Sequence, residues 1–157
     1  MPHATELDIF QALIQHHDIQ RDYCKKIEDH LKADDLKKAK SIYLDFELEL
    51  QAHAAAEERH LYLPVMQYDE GLDLSRHAIA EHHEMDEMIE KMNDGRISDA
   101  TWVETCKELI HEVRHHLEEE EQKFFKDAKK ILATEQQQRL GALYLVEHQQ
   151  FEKNNAE

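Results

Sequence analysis

Two short stretches govern the reading of this chain: His53-Ala-Ala-Ala-Glu57-Glu58 and His116-Leu-Glu-Glu-Glu120-Glu121. Each places a histidine four residues before a glutamate within a run of good helix formers. On an α-helix, positions i and i+4 lie one above the other on the same face. Each stretch therefore aims one imidazole and one carboxylate at the same point in space. Two such pairs on two helices are what a metal pair inside a helical bundle requires. The likeness runs further: His53-x3-Glu57-Glu58-x2-Leu61-Tyr62 aligns with His116-x3-Glu120-Glu121-x2-Phe124-Phe125.

The rest of the composition suits that reading. The chain has 157 residues, enough for one domain with a sizeable core. With 3 Gly and 2 Pro against many Ala, Leu, Glu, Gln and Lys, it is expected to be all-α. The formal net charge of -16 repels phosphate, which argues against nucleic acid and against an anionic membrane as partners. A solvated acidic surface accounts for most of that charge, but not for carboxylates that fall on apolar faces. Cys24 and Cys106 form no CxxC pattern and fall at core positions, as reduced buried thiols do. Met1 to Ile14 lacks a basic n-region and a long apolar run, and no apolar stretch approaches the ~18 residues of a membrane span. A cytoplasmic location is expected.

Helical periodicity divides the chain into four long helices and a short fifth. Thr5-Glu-Leu-Asp8 reads as the capped start of a first helix that runs to about Lys32, with Phe10, Leu13, Ile14, His17, Cys24 and Leu31 inward. Asp34 and Asp35 turn the chain. The second helix runs from about Asp35 to Tyr62, with Ile42, Phe46, Leu50, His53, Glu57 and Leu61 inward, and Pro64 is expected to stop or bend it. A loop spans Met66 to Leu74. The third helix begins near Asp73 to Ser75 and carries Leu74, Ala78, Met85, Ile89 and Met92 inward, before a turn at Asn93-Asp94-Gly95. The fourth runs from Ser98 to about Leu132 on a stripe of Cys106, Leu109, Val113, His116, Leu117, Glu120 and Phe124. A short fifth helix follows from about Thr134 to Gln150, and the tail from Glu152 to Glu157 is expected to fray. The expected architecture is a single domain: an up-down-up-down four-helix bundle over about residues 5 to 132 with an additional helix over about 134 to 150.

Six ionisable residues fall on the apolar stripes when each residue is stepped by ~100°. They are His17, His53, Glu57, His82, His116 and Glu120. Buried without partners, they would cost several kcal/mol per charge. No Lys or Arg stands on the stripes to neutralise the glutamates, Arg21 excepted. Two divalent ions remove the difficulty: imidazole donates well to iron, zinc and copper, and carboxylates bridge hard or borderline ions. Singly, each residue has a blander explanation. One inward histidine is usually a hydrogen-bonded core residue, and an exposed His-x3-Glu is usually a helix-stabilising pair. The six together are harder to explain that way. His16/His17 and His82/His83 are adjacent pairs, so either neighbour could be the ligand. His60 and Tyr62 are candidates for outer partners, and His148 for an outer or surface position. There is no HExxH, no glycine-rich phosphate loop and no GxSxG. Ferritin-like di-iron bundles use Glu-x-x-His with four glutamates, whereas nitrogen ligands predominate here.

The pattern resembles the hemerythrin-like family, specifically its HHE cation-binding domains. That family carries a His on the first helix, HxxxE on the second, a His on the third and HxxxE on the fourth. His17, His53/Glu57, His82 and His116/Glu120 meet it in order, over about residues 6 to 132. The oxygen-carrying hemerythrins have five His and two carboxylates, against four His and two Glu here. The resemblance implies two iron ions, oxo- or hydroxo-bridged, with zinc or manganese as alternatives. It implies a role in binding or sensing oxygen, peroxide or nitric oxide, or in handling iron. A di-iron enzyme acting on those molecules is the runner-up, and a zinc-stabilised interaction domain the alternative of a different class.

Overall fold

The computed structural model describes residues 7–155. It is all-helical, with no strand among those residues. Helix α1 spans Ile9–Lys32 and opens on a reciprocal capping box: the Asp8 side chain accepts from the Gln11 N–H, and the Gln11 side chain from the Asp8 N–H. Thr5 of the expected capping pattern lies outside the described residues. At the far end Asp34 takes a left-handed conformation (φ 60°), which lets Asp35 N–H close on His30 O at 2.8 Å. Asp35 then caps the next helix by accepting from Lys38 N–H.

Helix α2 spans Leu36–Glu57 and continues through a π-turn, Glu58–Tyr62, into a last turn, Leu63–Met66. Pro64, expected to stop or bend this helix, lies inside that last turn. The wide turn just before it relieves the ring: Leu63 N–H already reaches back to Glu58 O, so the narrow backbone path that a proline obstructs is not followed here. Helix α3, Asp69–Met92, begins earlier than expected, and the loop shrinks to Gln67 and Tyr68. Gly71 allows this close return, since a Cβ there would stand 2.3 Å from Val65 O. Helix α4 spans Asp99–Glu119, capped by the Ser98 side chain, and continues through a second π-turn, Glu120–Phe124, into Phe125–Ile131.

Helix α5, Thr134–Asn155, is longer than expected and absorbs most of the tail that was expected to fray. Its buried Leu140, Tyr144 and His148 pack it against α1 and α2, and this burial holds the C-terminal turns in place. Elsewhere α1 packs along α2, and α3 along α4. The inward stripes match the expected ones except at Ile14, which is exposed, and at Leu31, Ile42 and Leu74, which are half-buried.

The apolar residues form two clusters. One is built on Phe10, Leu13, Leu61, Tyr62, Phe124, Phe125 and Tyr144. The other is built on Cys24, Ile27, Phe46, Trp102, Leu109 and Leu117. Cys24 and Cys106 are buried and free, as expected. No helix among the described residues is long and apolar enough to cross a membrane.

Gly141 is the contact on which α5 docks. A Cβ there would lie 2.4 Å from Leu7 O and 2.7 Å from Ile9 N, both backbone atoms with little freedom to yield. Gly141→Ala should therefore cost about 1–3 kcal/mol, the range for overpacking, and lower the melting temperature in a thermal scan. An unchanged melting temperature would show that α5 does not approach the start of α1 so closely.

Candidate metal centre

Between the two apolar clusters lies a layer of six buried ionisable side chains: His17, His53, Glu57, His82, His116 and Glu120, none more than 4 % exposed. Helix α1 supplies His17, α2 His53 and Glu57, and α3 His82. His116 comes from α4, and Glu120 opens its π-turn. Of each adjacent histidine pair, one member is buried in the layer. His17 is fully buried, whereas His16 is half-buried and bonded through Nδ1 to Tyr144 OH at 2.6 Å. His82 is buried, whereas His83 is exposed beside Glu87.

Each carboxylate meets two imidazoles from different helices. Glu57 Oε1 stands 3.0 Å from His53 Nε2 and 3.3 Å from His82 Nε2. Glu120 stands 3.2 Å from His17 Nε2 through Oε1 and 3.6 Å from His116 Nε2 through Oε2. Donor atoms from His17, His53, Glu57 and Glu120 lie within 4.8 Å of one another, and so do those of Glu57, His82 and His116. The two groups share Glu57, as two neighbouring ions with a common carboxylate would require.

The model of the hemerythrin HHE cation binding domain matches residues 8–128. The chain belongs to that family. Comparison with curated proteins and with solved structures gave no match.

The residues of this hemerythrin-like domain fit a bound cation on their own chemistry. His17 Nε2, His53 Nε2, His116 Nε2, Glu57 Oε2 and Glu120 Oε1 are all buried without a hydrogen-bond partner. Buried polar atoms are ordinarily paired, so five unpaired ones within this one layer are unusual, and a cation is one partner that would satisfy them. Three of the four imidazoles are anchored through Nδ1, whereas His82 Nδ1 stands 3.6 Å from Glu58 without a hydrogen bond. His17 Nδ1–H donates to Glu121 at 2.7 Å, and His116 Nδ1–H to Glu81 at 2.8 Å. His53 Nδ1 shares a hydrogen bond of 2.9 Å with Tyr144 OH. A proton held on Nδ1 leaves the Nε2 lone pair free for a cation. Arg21, the one cation near the stripes, reaches Glu121 at 2.9 Å rather than either core glutamate.

Tyr62 is drawn further in than an outer partner. Its hydroxyl lies 2.8 Å from Glu57 Oε1, 3.3 Å from His82 Nε2 and against Glu120 Oε2. One hydroxyl proton satisfies one carboxylate, so the second carboxylate is left with an oxygen facing an oxygen unless a proton or cation joins them. Burial, reinforced by the Glu120 and Glu57 charges, holds the phenol well above its usual range.

The π-turns explain this placement. In an α-helix Tyr62 would lie about 140° away from Glu57, but a π-turn stacks i and i+5. The turn after Glu57 therefore brings Tyr62 beneath it, and lets both members of Leu61-Tyr62 and of Phe124-Phe125 face inward. Tyr144, Glu81 and Glu121 carried little signal in the sequence. The i, i+4 stripe Leu140/Tyr144/His148 was the available clue for Tyr144. His60 pairs with Glu147 of α5 at 2.8 Å and remains outside the layer.

The layer's charge is shared before any cation enters. Burial alone would lower His17, but the close carboxylates of Glu120 and Glu121 outweigh it and raise the imidazole to about 9. For His82 burial is likewise outweighed, by Glu57 and Glu58, and the group rises to about 10. Burial would raise Glu57, yet the His53 charge and the close approach of the His53 and His82 imidazoles bring it well below the usual carboxylate range. Metal-free protein at neutral pH thus holds protons on His17 and His82 that a bound cation must displace. Titrating Zn(II) into weakly buffered protein near pH 7 should release about two protons per chain, read with an indicator dye. Binding with no proton release would show that both imidazoles were already neutral.

Proposed function

We propose that His17, His53, Glu57, His82, His116 and Glu120 hold two iron ions, and that the protein is a non-haem di-iron domain. In this reading the domain binds or senses oxygen, peroxide or nitric oxide, or handles iron. The observation that carries it is the set of unpartnered, buried donor atoms converging from four helices. Neutral imidazoles with shared carboxylates suit borderline divalent ions such as iron. Two iron ions would supply redox-active centres with open positions for a small ligand.

The smaller of two cavities that reach the layer suits a diatomic or near-diatomic ligand. A cavity of about 20 Å³ lies beside His53, His82 and His116, roofed by Leu50, Met85, Ile89, Val113 and Leu117. That volume is on the order of one small molecule. Its lining is mostly apolar, with Asp86 as its one carboxylate, and an apolar lining strengthens electrostatic interactions within. Gln20 lines the same cavity but is tied to Glu49 by a 2.8 Å hydrogen bond, so it serves as a fixed polar wall.

The chain is read as one domain. Contacts that support up-down-up-down topology are Lys40 with Asp99 near the starts of α2 and α4, and His17 with Glu121, joining α1 to the far end of α4. A cytoplasmic location suits two buried cysteines that remain thiols.

Elemental analysis and an electronic spectrum of protein expressed with added iron test the assignment together. Two iron atoms per chain are expected, with near-ultraviolet and visible absorption from the oxidised centre. His53→Ala or Glu120→Ala should remove most of the metal and lower the melting temperature. His115→Ala should leave the metal content unchanged, since His115 is exposed beside Glu119. Stoichiometric zinc with a silent spectrum would replace the redox reading by a structural one, and full metal in Glu120→Ala would refute the ligand set.

A further inference from the structure

We propose that His77, Glu81 and Glu119 form a labile divalent-cation site that feeds the buried centre, a proposal that rests on the layer's being a metal centre. The three residues offer donor atoms within 4.8 Å of one another. His77 Nε2 lies 2.9 Å from Glu119 Oε1 and 3.6 Å from Glu81 Oε2. His77 is 61 % exposed at its side chain, so a hydrated ion reaches it from solvent.

A cavity of about 160 Å³ leads inward from this cluster. Its wall runs from Asp73 and His77 at the surface to His116 and Glu120 at depth. The inner end is lined by His116 and Glu120, whose Nε2 and Oε1 atoms are buried and without a hydrogen-bond partner. The outer cluster and the two inner residues thus line one cavity. Four carboxylates line it, from Asp73, Glu81, Glu119 and Glu120, against the single ammonium of Lys123. Such a negative, low-dielectric cleft concentrates cations and repels anions.

Glu81 joins the two ends. One of its oxygens accepts from His116 Nδ1–H at 2.8 Å, and the other faces His77. An ion held at the mouth is therefore one carboxylate away from the buried imidazole. One nitrogen and two carboxylate donors suit iron(II), cobalt(II) or zinc(II), with water filling the remaining positions. Few protein donors and open access make the site weak and fast to exchange, as a transfer site must be. The 20 Å³ cavity carries a single carboxylate, Asp86, in a mostly apolar lining, against the four carboxylates here.

Cobalt(II) is a convenient probe, because its visible absorption reports coordination. Metal-free wild-type protein, His77→Ala and Glu119→Gln would each be titrated to equilibrium and then mixed rapidly with Co(II) at low ionic strength. Wild type is expected to bind two ions tightly and one weakly. Both variants should lose the weak ion and keep the two tight ones, and fill them about ten-fold more slowly, within the range that charged clefts confer. Added salt should narrow the difference in rate. Equal rates and equal weak binding in wild type and variants would overturn the proposal, as would loss of the tight ions in the variants. No tight ion in wild type would instead refute the buried centre itself. Loss of the weak ion in His77→Ala would in that case still support the mouth site as a cation site, and its retention would overturn it.

Discussion

Two carboxylates in the middle of a helical core are the constraint around which this protein is built. Glu57 and Glu120 are at most 3 % exposed, and an ionised carboxylate so placed costs several kcal/mol unless compensated. The chain compensates in part with its own groups. His17 and His82 are held as cations by the glutamates around them, and Tyr62 presents its hydroxyl to both acids. The compensation is incomplete: one oxygen of each glutamate and the Nε2 atoms of three imidazoles have no partner. A dication on each side of Glu57 would supply the missing charge and the missing partners together.

The fold is shaped to hold this polar layer between apolar ones. Phe10, Leu61 and Phe124 close it on one side, and Phe46, Leu109 and Leu117 on the other. The two π-turns begin immediately at the carboxylates, after Glu57 and at Glu120. A π-turn has poorer backbone geometry than an α-turn and is retained where it aims a side chain. Here it aims Tyr62 and doubles the aromatic and aliphatic floor beneath the site. The fifth helix is part of the same arrangement. Its Tyr144 orients His53, while His148 and Glu49 form a buried pair at 2.7 Å behind it. The site therefore draws on all five helices, although only four carry candidate ligands.

Much of this was legible in the residues. The i, i+4 pairs His53/Glu57 and His116/Glu120 fixed both the helical class and the inward face, because α-helical phase holds up to the carboxylate in each case. His17 and His82 followed from the same phase, and their neighbours His16 and His83 fell outside it. Beyond each carboxylate the π-turn adds a residue: Leu61 and Phe124 lie inward as their stripes require, and Tyr62 and Phe125 join them, which α-helical phase does not encode. Pro64, read as a stop or a bend, stands inside the last turn, two residues before the helix ends at Met66, because the π-turn before it leaves no local sequence mark. Tyr62 looked like an outer partner because i+5 points away in a regular helix. Tyr144, Glu81 and Glu121 meet the site only through tertiary packing, which periodicity along one helix does not encode. The docking of α5 depends on Gly141 lying against the backbone of Leu7 and Asp8, a long-range contact that a single small residue permits.

The central claim is that dications occupy the gap between Glu57 and Glu120. The most direct test is a crystal structure of protein purified from iron-supplemented cells, with anomalous diffraction recorded on both sides of the iron absorption edge. The account predicts two anomalous peaks inside the layer, one near His17 and His53 and one near His82 and His116, with Glu57 reaching both. A layer closed by hydrogen bonds alone, with no anomalous density between the two glutamates, would contradict it.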